Sequence, residues 1–166
     1  MRRNAMNDQY SFLTNTPFDT NIGPLEFLII NGVITNVNFK THTRKKADEP
    51  FNPLTRKIVK QLKDYFNQKR TRFDLPMQFE GTDFQESIWK QIAVVPFGKT
   101  ISYSDLAKKV KSPKAFRAAG SACGKNPLPI LIPCHRILAQ NKTLGGFGGG
   151  LEIKMKLLKL EGISYN

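Results

Sequence analysis

Pro129-Ile130-Leu131-Ile132-Pro133-Cys134-His135-Arg136-Ile137 carries an apolar run into a thiol, an imidazole and a guanidinium. Free cysteine is only a few per cent thiolate at neutral pH, so a nucleophilic thiol needs a base or a positive field beside it. His135 can supply the base and Arg136 the field. Pro133 biases Ile132 towards extended geometry, which predicts a buried strand ending in a turn at Cys134. Neighbouring side chains on a strand point to opposite faces, so a contact between Cys134 and His135 needs a bend or a bridging water. A lone cysteine also serves as a small core hydrophobe, and the dipeptide alone does not choose between these uses.

Working outward, the 166 residues suffice for one or two small domains that bury a core without disulfides. Only two cysteines occur, Cys123 and Cys134, and no apolar run is long enough to cross a membrane. Met1-Arg2-Arg3-Asn4 leads into no apolar segment, so no secretory signal is expected, and a reducing, cytoplasmic setting (the nucleus in a eukaryote) suits a free thiol. Two cysteines with His135 and the distant His42 lack zinc-ligand spacing, so no metal is expected. The net charge is +13, and it is unevenly spread. Nine basic residues and one acid, Asp105, fall between Lys99 and Lys142, a cluster that attracts a polyanion such as nucleic acid.

The first half reads as mixed β and α. Leu25–Ile30 and Val33–Phe39 are expected as strands joined at the hairpin signal Asn31-Gly32. Thr41–Glu49 is polar and reads as a loop. Asn52 caps an expected helix with Pro53 at its first position and Leu54, Ile58, Leu62 and Phe66 on one face. A connection with a short strand near Arg72–Leu75 follows.

A second region begins at Thr82, where Thr82-Asp83-Phe84-Gln85 forms a capping box ahead of Ile88, Ile92 and Val95. Pro96-Phe97-Gly98 ends that helix. A short helix over Ser104–Val110 and another capped by Ser112, with Pro113 at its start and Gly124 at its end, suggest a helix-turn-helix in the most basic part of the chain. Helical periodicity sends Phe116, Ala119, Gly120 and Cys123 to the packing face, and Lys114, Arg117, Ala118 and Ser121 to a small, cationic face that can approach a groove. Leu144-Gly145-Gly146-Phe147-Gly148-Gly149-Gly150 offers a backbone that approaches a flat ligand closely, with Phe147 available for stacking. A last helix is expected over Leu151–Glu161, apolar at Leu151, Met155 and Leu158.

Together these residues resemble the O6-alkylguanine-DNA alkyltransferases. The likeness runs from about Thr82 to Gly162 and more loosely before it. It is carried by Phe84-Gln85, Ile88-Trp89, Ile101-Ser102-Tyr103, Lys114-Ala115-Phe116-Arg117-Ala118, Asn126-Pro127, Ile132-Pro133-Cys134-His135-Arg136, the glycine loop and Leu157-Leu158-Lys159-Leu160-Glu161-Gly162. The resemblance implies two domains in an α/β (α+β) protein. Residues 1–81 would form a ribonuclease-H-like supporting domain, and residues 82–166 a mainly helical, winged-helix-like DNA-binding and alkyl-transfer domain.

It further implies DNA repair by irreversible transfer of an alkyl group, mainly methyl, from guanine O6 to Cys134 after base flipping. His135 would take the thiol proton through a water, oriented by Glu161; Asn126 would hold the hydrogen-bond network; and Tyr103 would hydrogen-bond the leaving base. Arg117 would fill the gap left by the flipped nucleotide, with Lys114, Ala118, Ser121 and Arg136 also at the DNA. Phe147, Gly148 and Gly149 would wall the base pocket. The partner is double-stranded DNA carrying O6-alkylguanine, with O4-alkylthymine as a further substrate to consider. The protein is expected to act as a monomer, without a cofactor and away from membranes.

Three features depart from the family pattern: Phe116, where a small residue is usual beside the arginine; Phe147, where tyrosine is common; and Gln140-Asn141-Lys142, in place of a more glycine-rich turn. All three bear on the range of adducts accepted. The alternatives are a non-catalytic sensor of alkylated DNA, a helix-turn-helix transcription regulator, and a Cys-His hydrolase. Retention of Cys134 argues against the sensor. No dimerisation surface is legible for a regulator, and the basic helix pair is superfluous to a hydrolase.

Overall fold

Strand β2 (Leu25–Ile30) alternates buried and half-buried side chains, the period-2 signature of a sheet with one covered face. It turns through Asn31 and Gly32, both at positive φ (51° and 77°), into antiparallel β3 (Val33–Phe39). Two consecutive left-handed residues twist a two-residue hairpin in the sense that strands prefer, so an Asn-Gly pair sets the register. The computed structural model describes residues 8–14, 22–40 and 47–166. The chain start, His42 and most of the loop expected at 41–49 lie outside them.

The chain divides into two compact units, one ending at Phe79 and the other beginning at Glu80. In the first, β1 (Gln9–Thr14) pairs antiparallel with β2 to give the order β1-β2-β3. The sequence reading assigned no strand there, because Gln9-Tyr10-Ser11 breaks the apolar alternation and only its last three residues are buried. The strand expected near Arg72–Leu75 is absent; instead Ile34 bridges Met77 in parallel, with Ile34 N–H donating to Pro76 O and accepting Gln78 N–H through its carbonyl. Helix α1 (Pro53–Phe66) starts as expected, with Asn52 and Thr55 capping one another reciprocally and Ile58, Leu62, Tyr65 and Phe66 buried.

The second unit is mainly helical. Thr82 and Gln85 form the capping box of α2 (Asp83–Ala93), and the Trp89 indole N–H donates to Ala122 O at 2.9 Å, which ties α2 to α4 (Phe116–Gly124). Helix α3 (Tyr103–Lys109) is capped by Ser102. Ser112-Pro113-Lys114 turn before α4 rather than opening it. Ala115 N–H bonds Ser112 O there, and the N-cap is Ala115 with no side-chain acceptor. Parallel pairing of β4 (Ile101–Ser102) with β5 (Ile137–Leu138) places the start of α3 beside the chain leaving Arg136.

Two side-chain assignments change. Phe116, expected to pack, is 44% exposed, because Ala119, Ala122 and Cys123 already fill the buried side of α4. Helix α5 (Leu151–Leu160) buries Ile153, Lys154, Leu157 and Leu158, so of the expected stripe Leu158 is buried, Met155 is half-buried and Leu151 is exposed. Apolar periodicity missed that face because a lysine stands in it.

Candidate active site

The residues before the thiol do not form a strand. Pro129 bridges Ile132, Ile132 N–H bonds Leu128 O at 2.8 Å, and Ile130 sits at φ +73°. That left-handed conformation is strained for a β-branched residue and is held by burial of the whole turn. Cys134-His135-Arg136 then wind into one 3-10 turn, which supplies the bend that an extended chain would lack.

Within this turn Cys134 is 5% exposed. The Asn126 amide nitrogen bridges Ile132 O at 2.8 Å and Cys134 Sγ at 3.1 Å, while Asn126 Oδ1 accepts Leu128 N–H. One side chain therefore fixes both ends of the approach to the sulfur. Burial pushes the thiol up; the Asn126 bond, the charge on Lys154 and the backbone N–H groups of Cys134 and His135 offset it only in part. The resting group is consequently a thiol, and it needs a base to react at neutral pH.

The base stands next in the chain. His135 is fully buried, its Nε2 lies 2.8 Å from Glu161 Oε1, and its Nδ1 is buried without a hydrogen-bond partner. Burial holds the imidazole below its usual pKa although Glu161 opposes this, so the ring is neutral. With Nε2–H donating to the carboxylate, the lone pair is on Nδ1. Glu161 takes four donors: His135 Nε2 and Arg136 Nη2 at Oε1, and Arg136 Nε at 2.8 Å and Gly98 N–H at 3.2 Å at Oε2. Burial raises its carboxyl, but the bonds and charges of His135 and Arg136 prevail and hold it at about 2.

Arg136 is a correction. It is 5% exposed, with Nε and Nη2 on Glu161, Nη1 on Val95 O at 2.6 Å and its plane 5.7 Å from the Phe97 ring. A guanidinium so committed cannot reach a DNA phosphate. Its charge is also neutralised by Glu161, so it is not the positive field acting on the thiol. That field comes from Lys154, which the sequence reading passed over. Its signal was available: Lys154 lies seven residues before Glu161, two helical turns away on the same face.

A cavity of about 540 Å³ is lined by Tyr103, Phe116, Arg117, Gly120, Gly124, Gly146, Phe147 and Gly148. Gly149 does not line it. Tyr103 donates its hydroxyl proton to Gly146 O at 3.3 Å, and burial pushes the phenol up further, so it stays protonated. Gly145 sits at φ +62°, and a Cβ there would lie 2.8 Å from the Tyr103 ring. The glycine is thus required twice, by the backbone and by the ring. Arg117 stacks on Phe116 at 5.7 Å, and Lys114, Ala118 and Ser121 are exposed, Lys114 from the turn before α4. Cys123 is buried and its thiol is raised to about 12 by burial, which fits a core residue.

Residues 83–163 match the family described as 6-O-methylguanine DNA methyltransferase, DNA binding domain. A methylated-DNA–protein-cysteine methyltransferase of Haemophilus influenzae is 40% identical over 157 residues, covering 90% of this chain and 87% of that protein. Its counterpart in Mycobacterium tuberculosis is 38% identical over 146 residues, covering 86% and 88%. The crystal structure of Mycobacterium tuberculosis OGT in complex with DNA superposes with a TM-score of 0.79 at 36% identity, covering 91% of both chains. Identity of 38–40% across 86–90% of its length shows that this chain belongs to the methylated-DNA–protein-cysteine methyltransferase family.

Proposed function

We propose that this protein repairs DNA by moving an alkyl group, chiefly methyl, from O6 of guanine to the sulfur of Cys134. The observation that carries the reading is the buried relay in which Glu161 fixes His135 with Nδ1 unoccupied, on the turn that holds the thiol. His135 takes the thiol proton at Nδ1, directly or through one water, and the imidazolium is stabilised by Glu161. The thiolate attacks the alkyl carbon; the S–C bond forms as the C–O6 bond breaks, and the electron pair leaves with the guanine. The guanine anion takes up a proton, in net the one His135 removed from the thiol, and the Tyr103 hydroxyl hydrogen-bonds the leaving base. A thioether has no easy hydrolytic exit, so each molecule acts once.

The lesion lies inside the duplex, so the nucleotide must leave the stack. The glycine loop and Phe147 receive it, and Arg117, exposed at the start of α4 beside the cavity, fills the space left. Lys114, Ala118 and Ser121 form the rest of the DNA face. Residues 1–81 act as the supporting domain, and the protein works as a monomer in the cytoplasm. Cys134 and its base set this reading apart from that of a non-catalytic sensor.

The test is transfer from a duplex bearing labelled O6-methylguanine. Cys134→Ala is expected to abolish label uptake while duplex binding persists within about twofold. Label retained by that variant would remove Cys134 as acceptor.

A further inference from the structure

Lys154 is a charged side chain of the site that the transfer scheme leaves unused and that no carboxylate neutralises among the described residues. It is 0% exposed, and its Nζ donates to Ile137 O at 2.7 Å, to Gly146 O at 3.2 Å and to Leu144 O. All three ammonium protons are thereby used on backbone carbonyls, and among the described residues no carboxylate pairs with it. The position is doubly unfavourable for a cation. A buried charge without a counter-ion is costly, and Lys154 lies in the first turns of α5, where the helix dipole is positive. Burial accordingly lowers the lysine to about 8. Methionine would fill the same volume at no such cost.

The three carbonyls come from two segments with different tasks. Ile137 follows directly on the Cys134–Arg136 turn, whereas Leu144 and Gly146 open the glycine loop. The Gly146 carbonyl is shared with the Tyr103 hydroxyl, and the ammonium lies 5.9 Å from the Tyr103 ring centroid. One ammonium therefore joins β5 just after the nucleophile's turn, the pocket wall and the tyrosine. The titratable groups it acts on are Cys134 and His135 on the 3-10 turn, and Cys123 on α4.

We propose that Lys154 is a positioning residue for alkyl transfer, whose buried ammonium locks the glycine loop to strand β5, directly after the turn that carries the nucleophile. This rests on the reading of Cys134 as acceptor, yet it can be tested without DNA. In Lys154→Met, the pH midpoint for carbamidomethylation of Cys134 by iodoacetamide, followed on the Cys134 peptide, is expected to rise by roughly one unit. Amide exchange at residues 144–147 is expected to quicken at least about tenfold. On an O6-methylguanine duplex, the first-order transfer rate falls at least about tenfold, with DNA Kd within about twofold.

An unmoved thiol midpoint would overturn the field, and unchanged exchange would overturn the lock. Loss of repair by the wild-type protein, by contrast, would strike the transfer reading alone. If Lys154→Met does not fold, the wild-type protein decides. NMR titration of Lys154 Cε is expected to give a midpoint near 8, and a midpoint near the ordinary 10.5 would overturn the buried lock.

Discussion

Both units bury polar side chains, but of different kinds. In the first, Thr55 and Gln61 are neutral and serve the backbone. Thr55 completes the cap of α1, and the Gln61 amide exchanges two hydrogen bonds with the backbone of Asp74, at 2.9 and 2.8 Å. In the second, the buried polar residues are His135, Arg136, Lys154 and Glu161. Neutral amides and hydroxyls satisfy a backbone at low cost, whereas buried charges carry a desolvation penalty that packing alone does not require. The first core thus satisfies its own backbone, whereas the second holds charges that packing does not require.

The largest expected break of that contrast is at Glu161. Glu161→Gln leaves a buried guanidinium without its counter-charge and turns the acceptor for His135 into an amide. Transfer is expected to slow by about 100-fold or more, and unfolding stability to fall by about 3 kcal/mol. Single-turnover kinetics and urea titration check this. The acid limb follows from the same residue. A carboxyl held at about 2 in the fold and 4.5 when unfolded contributes stability above pH 4.5 and loses it as pH falls towards 2. The wild-type protein is therefore expected to lose up to about 3 kcal/mol across that window from this residue, and Glu161→Gln to show a correspondingly flatter acid limb.

A smaller effect is expected at Gly145. Gly145→Ala must relieve both a left-handed φ and a 2.8 Å approach to Tyr103, which displaces the pocket wall. Transfer is expected to slow roughly tenfold, with duplex affinity little changed, because the DNA-facing side of α4 is untouched. The smallest effect on chemistry belongs to the first unit. Gln61→Ala is expected to cost about 1–3 kcal/mol of stability, by leaving Asp74 backbone groups unpaired, with the transfer rate of the folded protein unaltered. A slowed rate there would contradict the division of labour.

What the sequence made legible follows from how local each signal is. Asn31-Gly32, Asn52-Pro53 and Thr82-Gln85 act through their own backbone, and the hairpin and both helix starts lie where those residues place them. β1 was hidden because its stability comes from pairing with β2 rather than from its own alternation. The turn at Pro129–Ile132 looked like a strand because β-branched residues favour extended chain, and tertiary burial overrode that preference at Ile130. In the site, Cys134, His135, Asn126, Tyr103 and Glu161 were named from motif, and the structure gathers them around one turn and the cavity that Tyr103 lines. Arg136 was misread because a cation in a basic stretch suggests phosphate, while its carboxylate partner is 25 residues away in sequence. Lys154 was missed because hydropathy places lysine outside.

The central claim is that Cys134 is the acceptor of a single alkyl group. Intact-protein mass after incubation with a duplex carrying one O6-methylguanine tests it most directly. The account predicts one added methylene, about 14 Da, located on the Cys134 peptide and equal in amount to the lesion lost. Lesion binding with no gain in mass, or a gain on any other residue, would contradict it.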